Sequence, residues 1–206
     1  PQHHGPSLQD RVNSLYVIRG KITKKKKWKG TLSLLSPGER MSAAGSTAQA
    51  IACRSIGHVR SRFTDPVGMP IQTAGAADVA GRVELLPEFE AGLRDIEGFD
   101  YLILITHLHQ AVEKLEVVPF MDDSSHGVFA TRAPARPNRL GLSIVRLVRR
   151  EGRVLHFLGN DMLDGTPVLD IKPYVPRLDV RQTERIGWFG KRIDQMPDIR
   201  ADGRMA

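Results

Sequence analysis

The sequence predicts an all-β protein, namely a small antiparallel β-barrel with one short helix and irregular termini. Short apolar segments alternate with Pro, Gly and Asp turn signals from about residue 48 onward. No segment keeps helical periodicity for more than about three turns, which disfavours alternating β-α units. A closed barrel is the natural arrangement of many short strands, because it leaves no unpaired edge.

The elements follow in order along the chain. Pro87 and the helical spacing of Phe89, Leu93 and Ile96 predict the short helix over residues 87–96. The continuous apolar start of segment 100–109 predicts a strand buried on both faces. Glu151-Gly152 predicts a hairpin turn between two strands. The predicted strands cover residues 55–62, 82–86, 100–109, 117–120, 128–131, 142–150, 153–158 and 167–171.

Length and charge indicate one domain with appendages. Residues 1–45 are predicted to be a basic, flexible N-terminal appendage, 46–192 the barrel domain, and 193–206 a frayed C-terminal tail. The first fifty residues hold nine basic and two acidic side chains, which accounts for the whole formal charge of +7. A solvated segment is the favoured interpretation of the lysine run, and an arm that contacts RNA phosphates is the alternative.

Several classes of protein are disfavoured by what the sequence lacks. No apolar run approaches the length of a membrane-spanning helix, so no membrane contact is expected. Cys53 is the single cysteine, which excludes an internal disulfide and indicates a reducing, cytoplasmic setting. A phosphate-binding loop, a dinucleotide-binding glycine motif and a serine-nucleophile elbow are all missing.

Polar side chains gather in two segments of the second half. In residues 127–143, Pro134 and Pro137 flank Arg136 and predict a rigid loop that presents Arg132, Arg136 and Asn138. Such side chains suit a carboxylate, a phosphate or a base edge. The equal alternative is a turn whose arginines pair with the acids of the next segment.

That next segment, residues 159–174, carries Asp161, Asp164 and Asp170. Its carboxylates either hold the hydroxyls of a ribose or cap backbone groups of a turn. Lys172 and Tyr174 follow an apolar strand and indicate a polar site at its end.

A pair of histidines stands at the end of the long apolar segment. His107 and His109 would share one face of a strand and so form half of a metal site. Because no third ligand is near, we expect hydrogen-bonding roles and no metal.

Five motifs in order resemble the YaeB-like (TsaA-like, TrmO) family over about residues 54–190. They are GHVRS at 57–61, MPIQ at 69–72, HQ at 109–110, GVFATRAPARPNRLGLS at 127–143 and DMLDGTPVLDIKPY at 161–174. The resemblance implies an antiparallel β-barrel that forms homodimers and binds S-adenosylmethionine. It further implies methylation of a nitrogen of threonylcarbamoyladenosine in tRNA.

The resemblance also implies where the cofactor binds. One departure from the family motif is Arg139, which stands where proline is common and either loosens the loop or adds a phosphate contact. The catalytic residue stays unknown, with Arg136, Asn138, Lys172 and Tyr174 as candidates. A non-catalytic S-adenosylmethionine-binding module, a different methyl acceptor and a metal-dependent hydrolase are the alternatives. The implied cofactor contacts are Pro70, Ile71, Gln72, His109, Gln110, Arg132, Leu142, Asp161, Met162, Leu163, Asp164, Gly165 and Thr166.

Overall fold

The structure, a computed structural model, describes residues 50–204. The basic segment 1–45 lies outside the described residues, so its assignment as a flexible appendage stays a prediction. Within the described part, no helix is both long enough and apolar enough to cross a membrane.

The strands of residues 50–204 are β1 Gly57–Arg60, β2 Ala80–Leu85, β3 Tyr101–His107, β4 Glu116–Val117, β5 His126–Gly127, β6 Leu140–Glu151, β7 Val154–Leu158 and β8 Pro167–Pro173. Six of them close into an antiparallel barrel in the order β1-β2-β7-β6-β3-β8, which confirms the predicted fold class. Strands β4 and β5 form a separate two-stranded sheet outside the barrel.

The helical elements are short, mostly 3-10 turns. The helix predicted over 87–96 is two such turns, because Asp95 takes a left-handed φ of 66° and interrupts it. The α-helix α1 spans Pro176–Asp179. The 3-10 turns are Thr73–Ala76, Pro87–Leu93, Ile96–Gly98, Val128–Ala130, Gly187–Lys191 and Ile193–Asp198.

Three strand predictions were wrong in detail. Of the segment predicted over 117–120, only Val117 lies in a strand, because β4 spans Glu116–Val117. β3 alternates, with Leu102 and Leu104 in the core and Tyr101 exposed, so it is buried on one face only. The apolar run arises because the outer face is apolar as well. Segment 128–131 forms a 3-10 turn in which the Thr131 hydroxyl donates to the Val128 carbonyl at 2.8 Å.

The core fills the barrel with side chains from alternate strand positions, including Val59, Val83, Val145 and Phe157. Gly81 is required beside it, because a Cβ there would lie 2.7 Å from the Phe157 ring. The predicted hairpin joins β6 to β7 through Gly152, whose φ of 57° favours glycine.

The C-terminal segment, expected to be frayed, is held against the barrel loops. The Gly68 amide donates to the Ala201 carbonyl at 2.7 Å, and the Ala201 amide donates to the Met69 carbonyl at 2.9 Å. Gly75 approaches this segment so closely that a Cβ would lie 2.7 Å from the Pro197 carbonyl oxygen. These contacts are between backbones, which explains why side-chain patterning gave no sign of them.

Candidate functional site

A cavity of about 610 Å³ opens at one end of the barrel, where β3 ends and β6 begins. This volume falls in the range typical of small-molecule sites. Its walls come from loops 65–72, 108–111 and 131–136, the start of β6 at 140–143, the turn 161–166, and residues 201–203. Most lining side chains are apolar, and a few polar groups stand among them.

The cavity brings together eleven of the thirteen residues that the family resemblance nominated for the cofactor. Asp164 and Gly165 are the two that do not line it. Asp164 instead accepts a hydrogen bond from the Ser61 amide at 3.0 Å, and Gly165 takes a φ of 74° in the turn. The eleven lining residues are Pro70, Ile71, Gln72, His109, Gln110, Arg132, Leu142, Asp161, Met162, Leu163 and Thr166.

Asp161 is one of two carboxylates in the cavity lining, and Asp65 is the other. The Asp161 carboxyl accepts a hydrogen bond from the Ser143 hydroxyl at 2.7 Å. Burial of the carboxyl raises the pKa of Asp161 to about 6, although the Ser143 bond and the positive charge of Arg132 lower it. The residue keeps some exposed surface towards the cavity, whereas its carboxyl lies among protein atoms. The side chain therefore carries a negative charge at neutral pH that a ligand cation would stabilise.

The two arginines of the proline-rich loop differ in what their side chains contact. Arg132 is exposed while lining the cavity, so its guanidinium is accessible to a ligand. Arg136 donates from Nη1 to the carbonyls of Val128 at 3.0 Å and Thr131 at 2.9 Å. Arg136 therefore holds the loop in shape. The alternative prediction, in which the arginines of this loop pair with the acids of residues 159–174, is wrong for this side chain.

Arg139 stands where the family motif commonly has proline. Its φ of 48° is one that the pyrrolidine ring cannot adopt. Its carbonyl accepts from the Leu108 amide at 2.7 Å, and its Nη1 donates to the Ala111 carbonyl at 3.4 Å. Arg139 thus contacts loop 108–111 through both its carbonyl and its guanidinium.

Three of the four catalytic candidates lie away from the cavity, so their nomination stays a prediction that the cavity does not support. Asn138 is exposed in a turn outside the cavity lining. Lys172 pairs with Asp170 at 2.6 Å on the barrel surface. Tyr174 packs edge-to-face on Tyr101, with ring centroids 6.2 Å apart. Strand β8 carries these last two towards the opposite end of the barrel, because its register places Lys172 beside Ile103 and not beside His107.

The two histidines do not share a strand face, because β3 ends at His107 and His109 lies in the following turn. Burial lowers the pKa of His107, and the neighbouring charges of Arg139 and His109 lower it further. His109 lines the cavity. Among residues 50–204, no group of three or more His, Cys, Asp or Glu side chains is arranged to hold a metal ion.

Sequence reasoning missed Ser143 and the C-terminal contribution of Ala201 and Gly203 to the cavity. Ser143 carried a signal: it takes an inward position at the start of β6, where alternation otherwise calls for an apolar residue. Gly141 also marks the site, because a Cβ there would lie 2.5 Å from the Thr106 hydroxyl. The C-terminal residues carried no comparable signal.

Residues 58–180 match the family model of the tRNA-methyltransferase O N-terminal domain. The chain belongs to this family. A probable S-adenosyl-L-methionine-binding protein of Pyrococcus abyssi is 54% identical over 155 residues, which are 75% of this chain and 84% of that protein. A crystal structure of TrmO from Pseudomonas aeruginosa is 39% identical and superimposes with a TM-score of 0.58. The superposition covers 68% of this chain and 63% of the TrmO chain.

A relative with lower identity to this chain comes from mouse. It is a tRNA (adenine(37)-N6)-methyltransferase, 35% identical over 135 residues, or 62% of this chain. The match spans only 31% of the mouse protein. Family membership confirms the recognition made from the five motifs and accounts for the barrel.

Proposed function

We propose that this chain binds S-adenosylmethionine in the cavity and transfers its methyl group to a nitrogen of threonylcarbamoyladenosine in tRNA. The observation that carries the proposal is the convergence of eleven nominated residues, distant in sequence, on one cavity. The names of the relatives support it, since one is a probable S-adenosyl-L-methionine-binding protein and another is a tRNA (adenine(37)-N6)-methyltransferase. The cytoplasm, where tRNA is abundant, is the proposed setting.

The residues of the cavity suit this cofactor. S-adenosylmethionine carries a sulfonium, an ammonium, a carboxylate and a nucleoside, and it supplies an electrophilic methyl group. Asp161 offers a carboxylate for a cation or hydroxyl, and the accessible Arg132 offers a guanidinium for a carboxylate. Leu142 and Met162 offer apolar surface for the nucleoside.

The chain's own contribution to the reaction is binding and alignment. In-line methyl transfer depends on the positions of donor and acceptor, and positioning contributes on the order of 7–11 kcal/mol in favourable intramolecular models. Arg136 and Arg139 fix the cavity loops through backbone carbonyls, and so hold Arg132 in place. The apolar walls exclude water from the reacting atoms.

We further propose a homodimer that forms through the outer face of β3 and β6. Ile103 pairs with Ile144 and Ile105 with Leu142 on that face, and Leu142 is 48% exposed. An apolar ladder of this kind is typical of an interface. A second copy bound to this face would lie beside the cavity, because Leu142 belongs to both the face and the cavity wall.

The dimer is tested by light scattering. Ile144→Glu should convert a dimeric mass to a monomeric one, because a carboxylate in an apolar interface is strongly unfavourable. Glu116→Gln, on β4 outside this face, is the control. A monomeric mass for the unchanged protein at micromolar concentration would contradict the proposed dimer.

The methyl transfer is tested with methyl-labelled S-adenosylmethionine and total tRNA, with and without chelator. We expect label in tRNA, insensitive to chelator, and found by nucleoside mass spectrometry in threonylcarbamoyladenosine. Tight cofactor binding with no transfer would favour a non-catalytic binding protein instead. Label in another nucleoside would replace the proposed acceptor, and loss of activity with chelator would favour a metal-dependent mechanism.

A further inference from the structure

The loop that holds Arg136, residues 128–139, also displays an aromatic ring to solvent. Phe129 is 74% exposed, although its neighbours Val128 and Thr131 are buried. Exposed apolar side chains are common when scattered singly. This ring differs because the backbone beneath it is fixed and the cavity lies next to it: Thr131, Arg132 and Arg136 all line that cavity.

The position of the ring is set by several contacts. The Thr131 hydroxyl and the Arg136 guanidinium both donate to the Val128 carbonyl. The Arg136 Cζ lies 5.7 Å from the Phe129 ring centroid, a cation–π distance. Because hydrogen bonds to backbone carbonyls hold Arg136 in place, the Phe129 ring has a fixed cation on one side. Most of the surface of the ring is still exposed to solvent.

The other side of this turn is strengthened by aromatic packing. The Trp188 indole donates to the Ala130 carbonyl at 2.8 Å. The same indole stacks on His126, with centroids 4.7 Å apart, and on Phe189, with centroids 4.0 Å apart. The turn that carries Phe129 is therefore held from both sides, and the ring is presented with little loss of entropy on binding.

We infer that Phe129 is a stacking platform for an unpaired nucleobase of the RNA, next to the nucleotide whose base enters the cavity. The inference rests on the proposed function, which makes RNA the acceptor. A base that enters a cavity leaves its neighbours unstacked, and aromatic side chains replace the lost stacking.

The test measures RNA binding separately from methyl transfer. The probe is a hairpin RNA with 2-aminopurine in an unpaired loop, whose fluorescence is quenched on stacking. Phe129→Ala should weaken its binding by about five- to hundredfold and remove the quenching. Phe129→Leu should be equally impaired, because it keeps apolar surface without a π-face, and Phe129→Trp should retain binding. S-adenosylmethionine affinity and thermal melting should be unchanged.

Leu178→Ala is the matched control, since this side chain in α1 is 68% exposed and should have no effect. Equal RNA binding by Phe129→Ala and the unchanged protein, with methyl transfer to tRNA intact, would overturn the platform and leave the proposed function standing. A change of oligomeric mass in Phe129→Ala would also overturn it, by making the ring a protein contact. Absence of RNA binding by the unchanged protein would overturn the platform, and the transfer assay then decides the proposed function.

Discussion

The two ends of the barrel differ in what they bury. The end away from the cavity is closed by the turns after β2, where Leu93 and Ile96 join the core. Two arginines complete this closed end: Arg153 donates to the Leu85 carbonyl at 2.6 Å and Arg150 to the Leu93 carbonyl at 3.1 Å. The cavity end instead encloses the carboxyl of Asp161.

This difference separates stability from function within one small barrel. At the closed end, the apolar side chains are removed from water and the two arginines donate hydrogen bonds to backbone carbonyls, and both effects stabilise the fold. At the cavity end, a buried carboxyl with a raised pKa destabilises the ionised fold. Such a group is typical of sites where a ligand supplies the missing partner. Substitutions at the two ends should therefore change different measurements.

The largest effect is expected at the closed end. Leu93→Ala removes a side chain that is 3% exposed, and should lower the free energy of unfolding by about 2–5 kcal/mol. S-adenosylmethionine affinity, measured at a temperature where the variant is folded, should stay within about twofold. Denaturant unfolding and calorimetry check the two quantities. A large loss of affinity in the folded variant would mean that the two ends are coupled.

At the cavity end, Arg132→Ala should act on affinity alone. Losing a charge-assisted contact costs roughly 1.5–3 kcal/mol, so S-adenosylmethionine should bind more than tenfold more weakly. Because Arg132 is exposed, the free energy of unfolding should hardly change. Arg94→Ala, an exposed arginine near the closed end, is the control. Unchanged affinity in calorimetry would remove Arg132 from the binding site.

Asp161→Asn should change the free energy of unfolding in a way that depends on pH. The folded pKa of Asp161 is about 6, above the 3.8 of an unperturbed carboxyl, so ionisation destabilises the fold. At about pH 8 the variant should be more stable than the unchanged protein, by on the order of 3 kcal/mol. The gap should narrow as the pH falls through about 6 towards 4, because the unchanged protein then takes up the proton. Urea unfolding at several pH values measures this gap.

Ligand binding should follow the opposite trend. If the ionised carboxyl holds a cationic group, Asp161→Asn binds S-adenosylmethionine more weakly at about pH 8, and binding by the unchanged protein weakens below about pH 6. Ser143→Ala is the companion variant, since its hydroxyl donates to the same carboxyl. A variant that is neither more stable nor weaker in binding would show that the carboxyl is well solvated.

The sequence predicted the closed barrel from local strand and turn signals, whereas the residues of the cavity followed from the resemblance of five motifs to the family. The turn signal Glu151-Gly152 located the hairpin between β6 and β7, where Gly152 takes a φ of 57°. The sequence could not predict that Arg136 would bind backbone carbonyls, because the residue type fits a ligand equally well. The sequence also indicated a polar site around Lys172. The structure places this residue away from the cavity, because the end of the barrel at which β8 finishes depends on the strand order, which a local pattern does not show.

Lys172→Ala should consequently have the smallest effect, and it tests how far the site extends. Its ammonium pairs with Asp170 and its side chain is 61% exposed, so the pair contributes at most about 1 kcal/mol to stability. Cofactor affinity and the rate of methyl transfer should both stay within about twofold, because the residue lies on the outer surface away from the cavity. Steady-state kinetics with saturating cofactor and varied tRNA measures the acceptor side separately. A tenfold higher KM for tRNA at unchanged cofactor affinity would mean that the RNA reaches across β8 towards the closed end.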